Sequence, residues 1–406
     1  MSKQLKVGVL SLSFTIVILM VLGGLGVHAS SDDGAYRELG VYSEVLSRIR
    51  TEYVEEPNFP AVTGGALHGL LESLDANSSY LTPEEYKFYK THMHEGRANI
   101  GATISKRAGY AAVVSVIPGG PADKAGLQSG DYIEAIEGKS THEMSLAAVD
   151  EEIAGKQGTT INFSMIRPGK AEPQKITVTR DNVQIPGTTD KILDQTIADI
   201  DPLTLTKGKA QEIAARLKED QKNGAKKIIL DLRNVSEGDP NEAIAVANLF
   251  LNHGVITYLQ GQKFPKQTFT ADPQKDVTNL PLVVLVNRGT AGPGEIVAAA
   301  ILDNNRGDVV GNKTFGSGSV QRVIDIPDGS ALILSVAKYY MPSGKAIEDM
   351  DPLHAGVTPN ILVASSDDDG LPDDEDSATP STPEKPKAQK DDEQLRRAVQ
   401  VLRARS

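Results

Sequence analysis

The alternation of strand-like and helix-like segments across residues 184–360 limits the fold of this 406-residue chain more than any other feature. Residues 227–232 and 283–286 are short apolar runs of the kind that form buried strands. Residues 210–217 and 242–251 repeat their apolar positions at helical spacing instead. Strands that alternate with helices favour an α/β architecture, in which helices cover a sheet.

The second half of this region carries a recognisable motif. Residues 283–321 read VVLVNRGTAGPGEIVAAAILDNNRGDVVGNKTFGSGSVQ, which predicts a strand, a turn of small residues and an apolar helix. This stretch resembles the core of the C-terminal processing, or tail-specific, serine peptidases. Their pattern is an Asn, two residues, Ser-Ala-Ser-Ala-Ser-Glu, and later Thr-Phe-Gly-Lys-Gly and a Gln. The positions that match are Glu295, Phe315, Gly316, Gly318 and Gln321.

The same resemblance implies that both catalytic residues are missing. The nucleophilic Ser of the peptidases falls on Gly292, and the Lys that serves as its base falls on Ser317. A Ser hydroxyl needs an adjacent base to become a nucleophile, and a Ser side chain is no base near neutral pH. Gln321, which in the family steadies the dyad, is retained. The resemblance therefore implies a catalytically degenerate member.

A relocated dyad is the alternative that these residues leave open. Thr290, Ser317 and Ser319 supply hydroxyls near Lys313 in the sequence, and a Lys can act as a base where its pKa is lowered. Against this alternative, Thr290 aligns with the first Ser of the family motif, which is not the nucleophile. Lys313 occupies a position where the family tolerates a surface Lys.

A third catalytic element is altered in the segment 231–238, which reads DLRNVSEG. The family has Asp-Leu-Arg-x-Asn-Pro-Gly-Gly there, and its Gly-rich turn supplies a backbone N–H to the oxyanion hole. Val235, Ser236 and Glu237 replace three of the last four family residues. We expect these changes to alter the turn, and a carboxylate there to oppose a developing negative charge.

The N-terminal part of the body supports the resemblance independently. Apolar residues recur at helical spacing in residues 35–96, which we interpret as a helical segment. Residues 74–86 read LDANSSYLTPEEY and closely resemble the family hallmark Leu-Asp-Pro-His-Ser-x-Tyr-Leu-Thr-Pro-Glu-Glu-Tyr. Thr82 and Pro83 predict the start of a helix, as an N-cap and a first-turn proline.

Residues 97–183 resemble a PDZ domain. The run from Gly120 to Asp131, which includes Gly-Pro-Ala and Lys-Ala-Gly-Leu, is typical of such domains. The resemblance implies that the loop at Ile100, Gly101 and Ala102 binds the carboxylate of a protein C-terminus while the peptide adds to a sheet edge. Asn99 precedes this loop where a Gly is commoner. In the alternative interpretation these glycines only make turns.

Arg167 matches an Arg that in the family links the position of the PDZ domain to the catalytic site. With no dyad to control, it is equally well interpreted as a surface arginine on a strand.

The two ends of the chain differ from its body. Lys3 and Lys6 precede 21 uncharged residues, 7–27, so we interpret residues 1–29 as a signal peptide or a membrane anchor and expect the body to be exported to the periplasm or cell exterior. Residues 363–406 form an acidic tail that we expect to be disordered. At the end of that tail, Leu395, Ala398, Val399 and Leu402 predict a short helix with one apolar face.

Composition excludes several other functions. The chain has no cysteine, and its net charge of −12 argues against a nucleic-acid partner. His92 and His94 have no third metal ligand in view, so we expect neither a metal nor a cofactor.

The fold class that we predict is multidomain α+β, with an N-terminal helical segment, a PDZ domain and a crotonase-like α/β core over residues 184–362. The function that we predict is the binding of protein C-termini by an exported, inactive peptidase homologue. The alternatives are an active endopeptidase with a relocated dyad, and a structural subunit that forms an oligomer with an active relative.

Overall fold

The computed structural model describes residues 33–92, 97–167, 170, 172–351, 353–363 and 392–405. The chain divides into two compact units, Met1–Gly65 and Ala66–Ser406. No helix of the described residues is both long enough and apolar enough to span a bilayer. The predicted signal or anchor at residues 1–29, and most of the acidic tail, lie outside the described residues.

The first unit contains helix α1 (Asp33–Glu52) and the beginning of helix α2 (Phe59–Glu72). On α1, Arg48 bonds to Glu44 and Glu52 at the i,i+4 spacing that stabilises exposed helices. Apolar side chains that predicted this helix are exposed, including Tyr42 and Val45.

The hallmark segment forms a strand and a helix, β1 (Ser79–Leu81) and α3 (Pro83–His92). Thr82 caps α3 as predicted, because its hydroxyl accepts from the Glu85 N–H at 3.3 Å while the Glu85 carboxylate accepts from the Thr82 N–H at 2.8 Å. Such a reciprocal cap fixes the point where the helix begins.

The PDZ region is an antiparallel sheet with short helices. Its strands follow the order β2-β3-β4-β6-β7, and β5 pairs with β4. Ile100, Phe163 and Met165 are among the fully buried side chains of its core. The elements are β2 (Ala102–Arg107), β3 (Tyr110–Val116), α4 (Pro121–Ala125), β4 (Tyr132–Ile136), β5 (Lys139–Ser140), α5 (Leu146–Ile153), β6 (Thr160–Ile166) and β7 (Gln174–Thr179).

The α/β core is built on a mainly parallel sheet with the strand order β17-β14-β13-β10-β9-β8. Only β8 runs antiparallel to its neighbour within this sheet. Its strands are β8 (Thr189–Leu193), β9 (Ile197–Asp201), β10 (Lys227–Asp231), β13 (Leu282–Val286), β14 (Asp308–Gly311) and β17 (Ile361–Leu362). A second sheet, β1-β16-β11-β12 with β15 paired to β16, contains β11 (Val255–Gln260), β12 (Gln267–Thr270), β15 (Ser319–Asp325) and β16 (Ala331–Tyr340).

Helices cover both faces of the parallel sheet, since alternate strand residues point to opposite faces. Leu230 and Val284 pack among residues of α6, α7 and α8, whereas Ile229 and Val283 pack against α9. The predicted apolar face of the terminal helix is therefore confirmed, with Ala398 and Leu402 fully buried. The helices are α6 (Lys209–Lys222), α7 (Pro240–Asn248), α8 (Pro293–Asp303) and α9 (Glu393–Ala404).

Candidate functional site

Glu295 holds together the two segments that would carry a catalytic dyad. It lies in the first turn of α8 and is fully buried. Its carboxylate accepts from the backbone N–H groups of Gly292 at 2.9 Å, Gly316 at 2.7 Å and Ser317 at 2.8 Å, and from the Thr314 hydroxyl. Burial raises the pKa of Glu295 to about 7, and the hydrogen bonds oppose that rise because they favour the charged form.

Gly292 lies immediately before α8 with a positive φ of 49°. A Cβ atom built on it would lie 3.8 Å from the Ser317 carbonyl oxygen and 4.0 Å from that of Ser236. The segments that carry Gly292, Ser236 and Ser317 therefore meet at one point. A Cβ on Gly292 would make ordinary van der Waals contact with these two carbonyl oxygens, so a side chain would fit there sterically.

The turn after β10 is occupied by its own contacts. Val235 is fully buried, its N–H donates to the Leu232 carbonyl at 3.2 Å, and its carbonyl accepts from the Ala291 N–H at 3.0 Å. The Glu237 side chain is exposed, and its backbone carbonyl accepts from the Leu205 N–H at 2.8 Å. The Val235 N–H is thus committed within the turn and is not presented to a ligand.

Gln321 and Ser319 form part of a hydrogen-bonded network beside Ser317. The Gln321 amide donates to the hydroxyls of Ser319 at 2.8 Å and Ser335 at 3.3 Å. The Asn77 amide donates to the same Ser319 hydroxyl at 3.0 Å and to Glu348 at 3.2 Å. The retention of Gln321 therefore has a structural reason that requires no dyad.

The residues weighed for a relocated dyad have contacts of a structural kind. Thr290 is fully buried, and its hydroxyl donates to the Leu232 carbonyl at 2.7 Å and accepts from the Asn287 N–H at 3.0 Å. The Lys313 ammonium donates to the Leu353 carbonyl at 2.6 Å. A buried hydroxyl that already donates its proton is poorly placed to attack a carbonyl. In the described part of the chain, no group of three or more His, Asp or Glu side chains could hold a metal ion.

An open cleft of about 340 Å³ runs between the PDZ hairpin and the altered centre. Ser317 and Phe315 line one side, and Lys106 and Arg107 of β2 line the other. Arg107 lies over the Phe315 ring, 5.3 Å from its centroid, and the Lys106 ammonium donates to Glu72 at 2.5 Å. This cleft joins the PDZ domain to Ser317.

The PDZ domain also contacts the altered turn directly. The Ser236 hydroxyl donates to that of Thr103 on β2 at 2.7 Å and shares a hydrogen bond with that of Ser115 on β3 at 2.5 Å. Ser236 is nearly buried, at 9% exposure. Because the family has a proline at this position, which has no hydroxyl, the bridge is a consequence of the substitution.

The predicted peptide-binding loop immediately precedes the edge strand β2. Among the described residues β2 pairs only with β3, so its other edge faces the space beside α5. Ile100 is fully buried, and Ala102 begins the strand. Gly101 has a φ of 70°, and its N–H donates to the side-chain oxygen of Asn99 at 2.8 Å. A free sheet edge of this kind accommodates an added peptide strand.

Arg167 pairs within the PDZ domain. Its guanidinium donates to both carboxylate oxygens of Asp131, at 2.7 and 2.6 Å, and to the Gly126 carbonyl at 2.8 Å. These contacts favour a role within the domain, at the end of β6.

The sequence did not predict three contributions to the candidate site. They are the hydrogen bonds by which the Glu295 carboxylate joins two segments, those of the Glu348 carboxylate, and those of the Ser236 hydroxyl. Glu348 is nearly buried and accepts from the N–H groups of Gly318 and Ser319, at 2.9 Å each. The match at Glu295 and the mismatch at Ser236 were visible signals, but no local pattern indicates their distant partners. Glu348 lies outside every motif that was recognised.

Comparison with known proteins finds matching family models and relatives. Residues 196–363 match the model of peptidase family S41, and residues 113–167 match a PDZ domain model. The carboxy-terminal-processing protease of Bartonella bacilliformis is 30% identical over 85% of this chain and 79% of its own. The carboxy-terminal processing protease CtpA of Bacillus subtilis is 30% identical over 92% and 80%.

Among solved structures, a photosystem II D1 C-terminal processing protease superposes with a TM-score of 0.66 at 26% identity, covering 80% of this chain and 86% of that chain. The fold and the altered centre thus define a PDZ-containing relative of serine peptidases. The chain belongs to the C-terminal processing proteases of peptidase family S41. The predicted fold class, multidomain α+β with N-terminal helices, a PDZ domain and an α/β core, is confirmed.

Proposed function

We propose that this family member is proteolytically inactive and acts by binding protein C-termini. One observation carries the proposal: Gly292 and Ser317 stand where the family has its nucleophile and base, and the structure brings these two residues together. A centre with no nucleophilic side chain and no base lacks both requirements of covalent catalysis. Glu295 nevertheless still holds the two segments in place.

The binding half of the proposal rests on the PDZ domain. A free edge at β2, a carboxylate-binding loop at its start and α5 beside it are the parts that β-strand addition requires. We expect peptides with a free carboxylate and an apolar last residue to bind with micromolar or weaker dissociation constants, since few side chains contribute.

A titration with full-length protein tests both halves together. Fluorescein-labelled peptides that end in an apolar residue, as the free acid and as the amide, are titrated by anisotropy, and each sample is then analysed by mass spectrometry. The proposal predicts that the free acid binds more tightly and that every peptide stays intact. Equal affinity for the acid and the amide would exclude binding through the C-terminal carboxylate. Shortened peptides would show that the protein is an active peptidase.

A role as a structural subunit is the second candidate. It is supported by the exposed apolar side chains of α1 and the residues after it, among them Leu39, Val45 and Tyr53. Exposed apolar groups in a row favour contact with another chain. Light scattering of the purified protein, alone and mixed with an active family member, would show an oligomer in this case, and monomers in both samples at all concentrations would exclude this role.

We also propose that the body lies outside the cytoplasm, because Lys3, Lys6 and the uncharged residues 7–27 form a secretory signal or anchor. Protease added to spheroplasts should digest the body, and complete protection would contradict this placement.

A further inference from the structure

The carboxylate-binding loop has few free backbone groups. The Gly101 carbonyl accepts from the Ile117 N–H at 2.8 Å, and the Ile100 carbonyl accepts from the Ala122 N–H at 2.7 Å. The Gly101 N–H is a donor of the kind that would bind a peptide carboxylate. It is already satisfied by the Asn99 side-chain oxygen at 2.8 Å.

The backbone of Asn99 is held by two hydrogen bonds that do not involve its side chain. Its N–H donates to the Asp181 carbonyl at 3.2 Å, and its carbonyl accepts from the Asp181 N–H at 3.0 Å. The residue as a whole is exposed, so its side chain has room to leave the Gly101 N–H. A substitution at Asn99 therefore changes the acceptor while the two backbone bonds hold the loop in place.

We propose that the Asn99 side chain is an internal competitor of the peptide carboxylate and thereby sets the affinity of the PDZ groove. This inference rests on the proposed peptide-binding function. An incoming carboxylate and the Asn99 amide oxygen are acceptors for the same Gly101 N–H. The peptide must displace the amide oxygen before it gains that hydrogen bond.

The sign and size of the effect follow from hydrogen-bond energetics. One hydrogen bond exchanged in water is worth little net free energy, so Asn99→Ala should tighten the binding of a free-acid peptide about three- to ten-fold. Asn99→Asp keeps the length of the side chain but places a charged acceptor on the Gly101 N–H. A charged acceptor bonds more strongly and repels the peptide carboxylate, so affinity should fall about ten-fold or more.

The test compares full-length wild type, Asn99→Ala and Asn99→Asp by anisotropy with one ten-residue peptide, as the free acid and as the amide. Asn182→Ala is the matched control, because Asn182 is an exposed Asn of the same domain whose amide contacts Gln157 instead of the loop. Thermal unfolding of each variant verifies that the domain is folded.

The inference expects opposite shifts for Ala and Asp with the free acid, and no shift with the amide or with Asn182→Ala. If Asn99 has only a structural role, both variants should bind the free acid more weakly, and that result would overturn the inference. The proposed function would still stand in that case if wild type bound the free acid more tightly than the amide. If no variant distinguishes acid from amide, the proposed function fails and the inference fails with it.

Discussion

At the residue scale, Gly292 defines the candidate site. A Cβ would fit there sterically, but the backbone conformation is unfavourable for a residue with a side chain. Gly292 has a φ of 49° and a ψ of −108°, a combination outside the regions that L residues commonly adopt, the left-handed αL region included. The nearest atoms to a Cβ there are carbonyl oxygens at 3.8 Å and beyond. A Ser at this position would fit sterically and would be strained by its backbone alone.

Gly292→Ser should accordingly lower the free energy of unfolding by about 1–3 kcal/mol, the cost of holding an L residue in a sparsely populated backbone conformation. Gly292→Ala should cost the same amount, because the strain comes from the Cβ rather than the hydroxyl. Gly187→Ser makes the same exchange at an open position without a positive φ, and should have little effect. Urea denaturation measures all three, and an unchanged midpoint for Gly292→Ser would contradict the strained turn.

Glu295 predicts a pH dependence of stability. Its pKa is raised from 4.5 to about 7 by burial, so the folded state binds this proton more tightly than the unfolded state. The stabilisation is complete below about pH 4.5 and is lost as the pH rises through about 7. The difference corresponds to on the order of 3 kcal/mol.

Urea denaturation at pH 4.5, 6 and 7.5 measures this contribution. Glu295→Gln cannot titrate and should show a shallower loss of stability over this range, on top of a general destabilisation from its lost acceptor. Glu84→Gln changes an exposed carboxyl and should retain the wild-type slope. Parallel pH profiles for wild type and Glu295→Gln would contradict the assignment.

At the scale of elements, the turn after β10 joins the PDZ domain to the core through hydroxyl groups. Ser236 bonds to Thr103 of β2 and Ser115 of β3, and β2 is also the strand that we propose binds peptides. These hydroxyl contacts therefore join the turn after β10 to the PDZ domain.

Ser236→Ala should destabilise the protein by about 1–2 kcal/mol, because the Thr103 and Ser115 hydroxyls each lose a hydrogen bond at a nearly buried position. Thr103→Val removes the hydroxyl that accepts this hydrogen bond from Ser236. A double-mutant cycle by urea denaturation should give a coupling energy of about 1 kcal/mol. Strict additivity of the two substitutions would show that the bridge contributes nothing in solution.

The terminal helix α9 completes the core from the far end of the chain. Its N-cap Asp392 pairs with Arg233 at 2.9 Å, the Lys227 ammonium donates to the Leu402 carbonyl at 2.7 Å, and Leu402 itself is fully buried. Residues 364–391 separate the helix from the rest of the core in the sequence.

Leu402→Ala should cost about 2–5 kcal/mol, the usual range for a cavity in a packed core. The exposed neighbour Gln400→Ala should cost little. Both are measured by urea denaturation with the full chain, and equal effects would mean that the helix does not dock as described.

At the scale of the whole molecule, local sequence patterns predicted the fold well, because the periodicity of apolar residues and the capping residues indicate where strands and helices form. The apolar face of α9 and the Thr82 cap are examples. Motif comparison located Gly292 and Ser317, but their meeting point depends on tertiary folding. The partners of Glu295, Ser236 and Asn99 could not be predicted, since each bond depends on a side-chain direction that no sequence pattern encodes.

The central claim is that this family member cleaves no peptide bond, and one measurement tests it most directly. Full-length wild type is incubated with an unfolded protein that has an apolar C-terminus, and the products are followed by mass spectrometry beside the variant Thr290→Val, Ser317→Ala, Ser319→Ala. A second comparison asks whether the family residues restore activity. It uses the double variant Gly292→Ser, Ser317→Lys, and the same variant with Val235→Asn, Ser236→Pro and Glu237→Gly added. The larger set should restore more activity, because it also rebuilds the turn.

Wild type should show no cleavage above the buffer control. Cleavage that persists in the triple variant would come from a contaminant. Wild-type cleavage that is abolished by any one of those three substitutions, or by Lys313→Ala, would establish a relocated dyad and contradict the account.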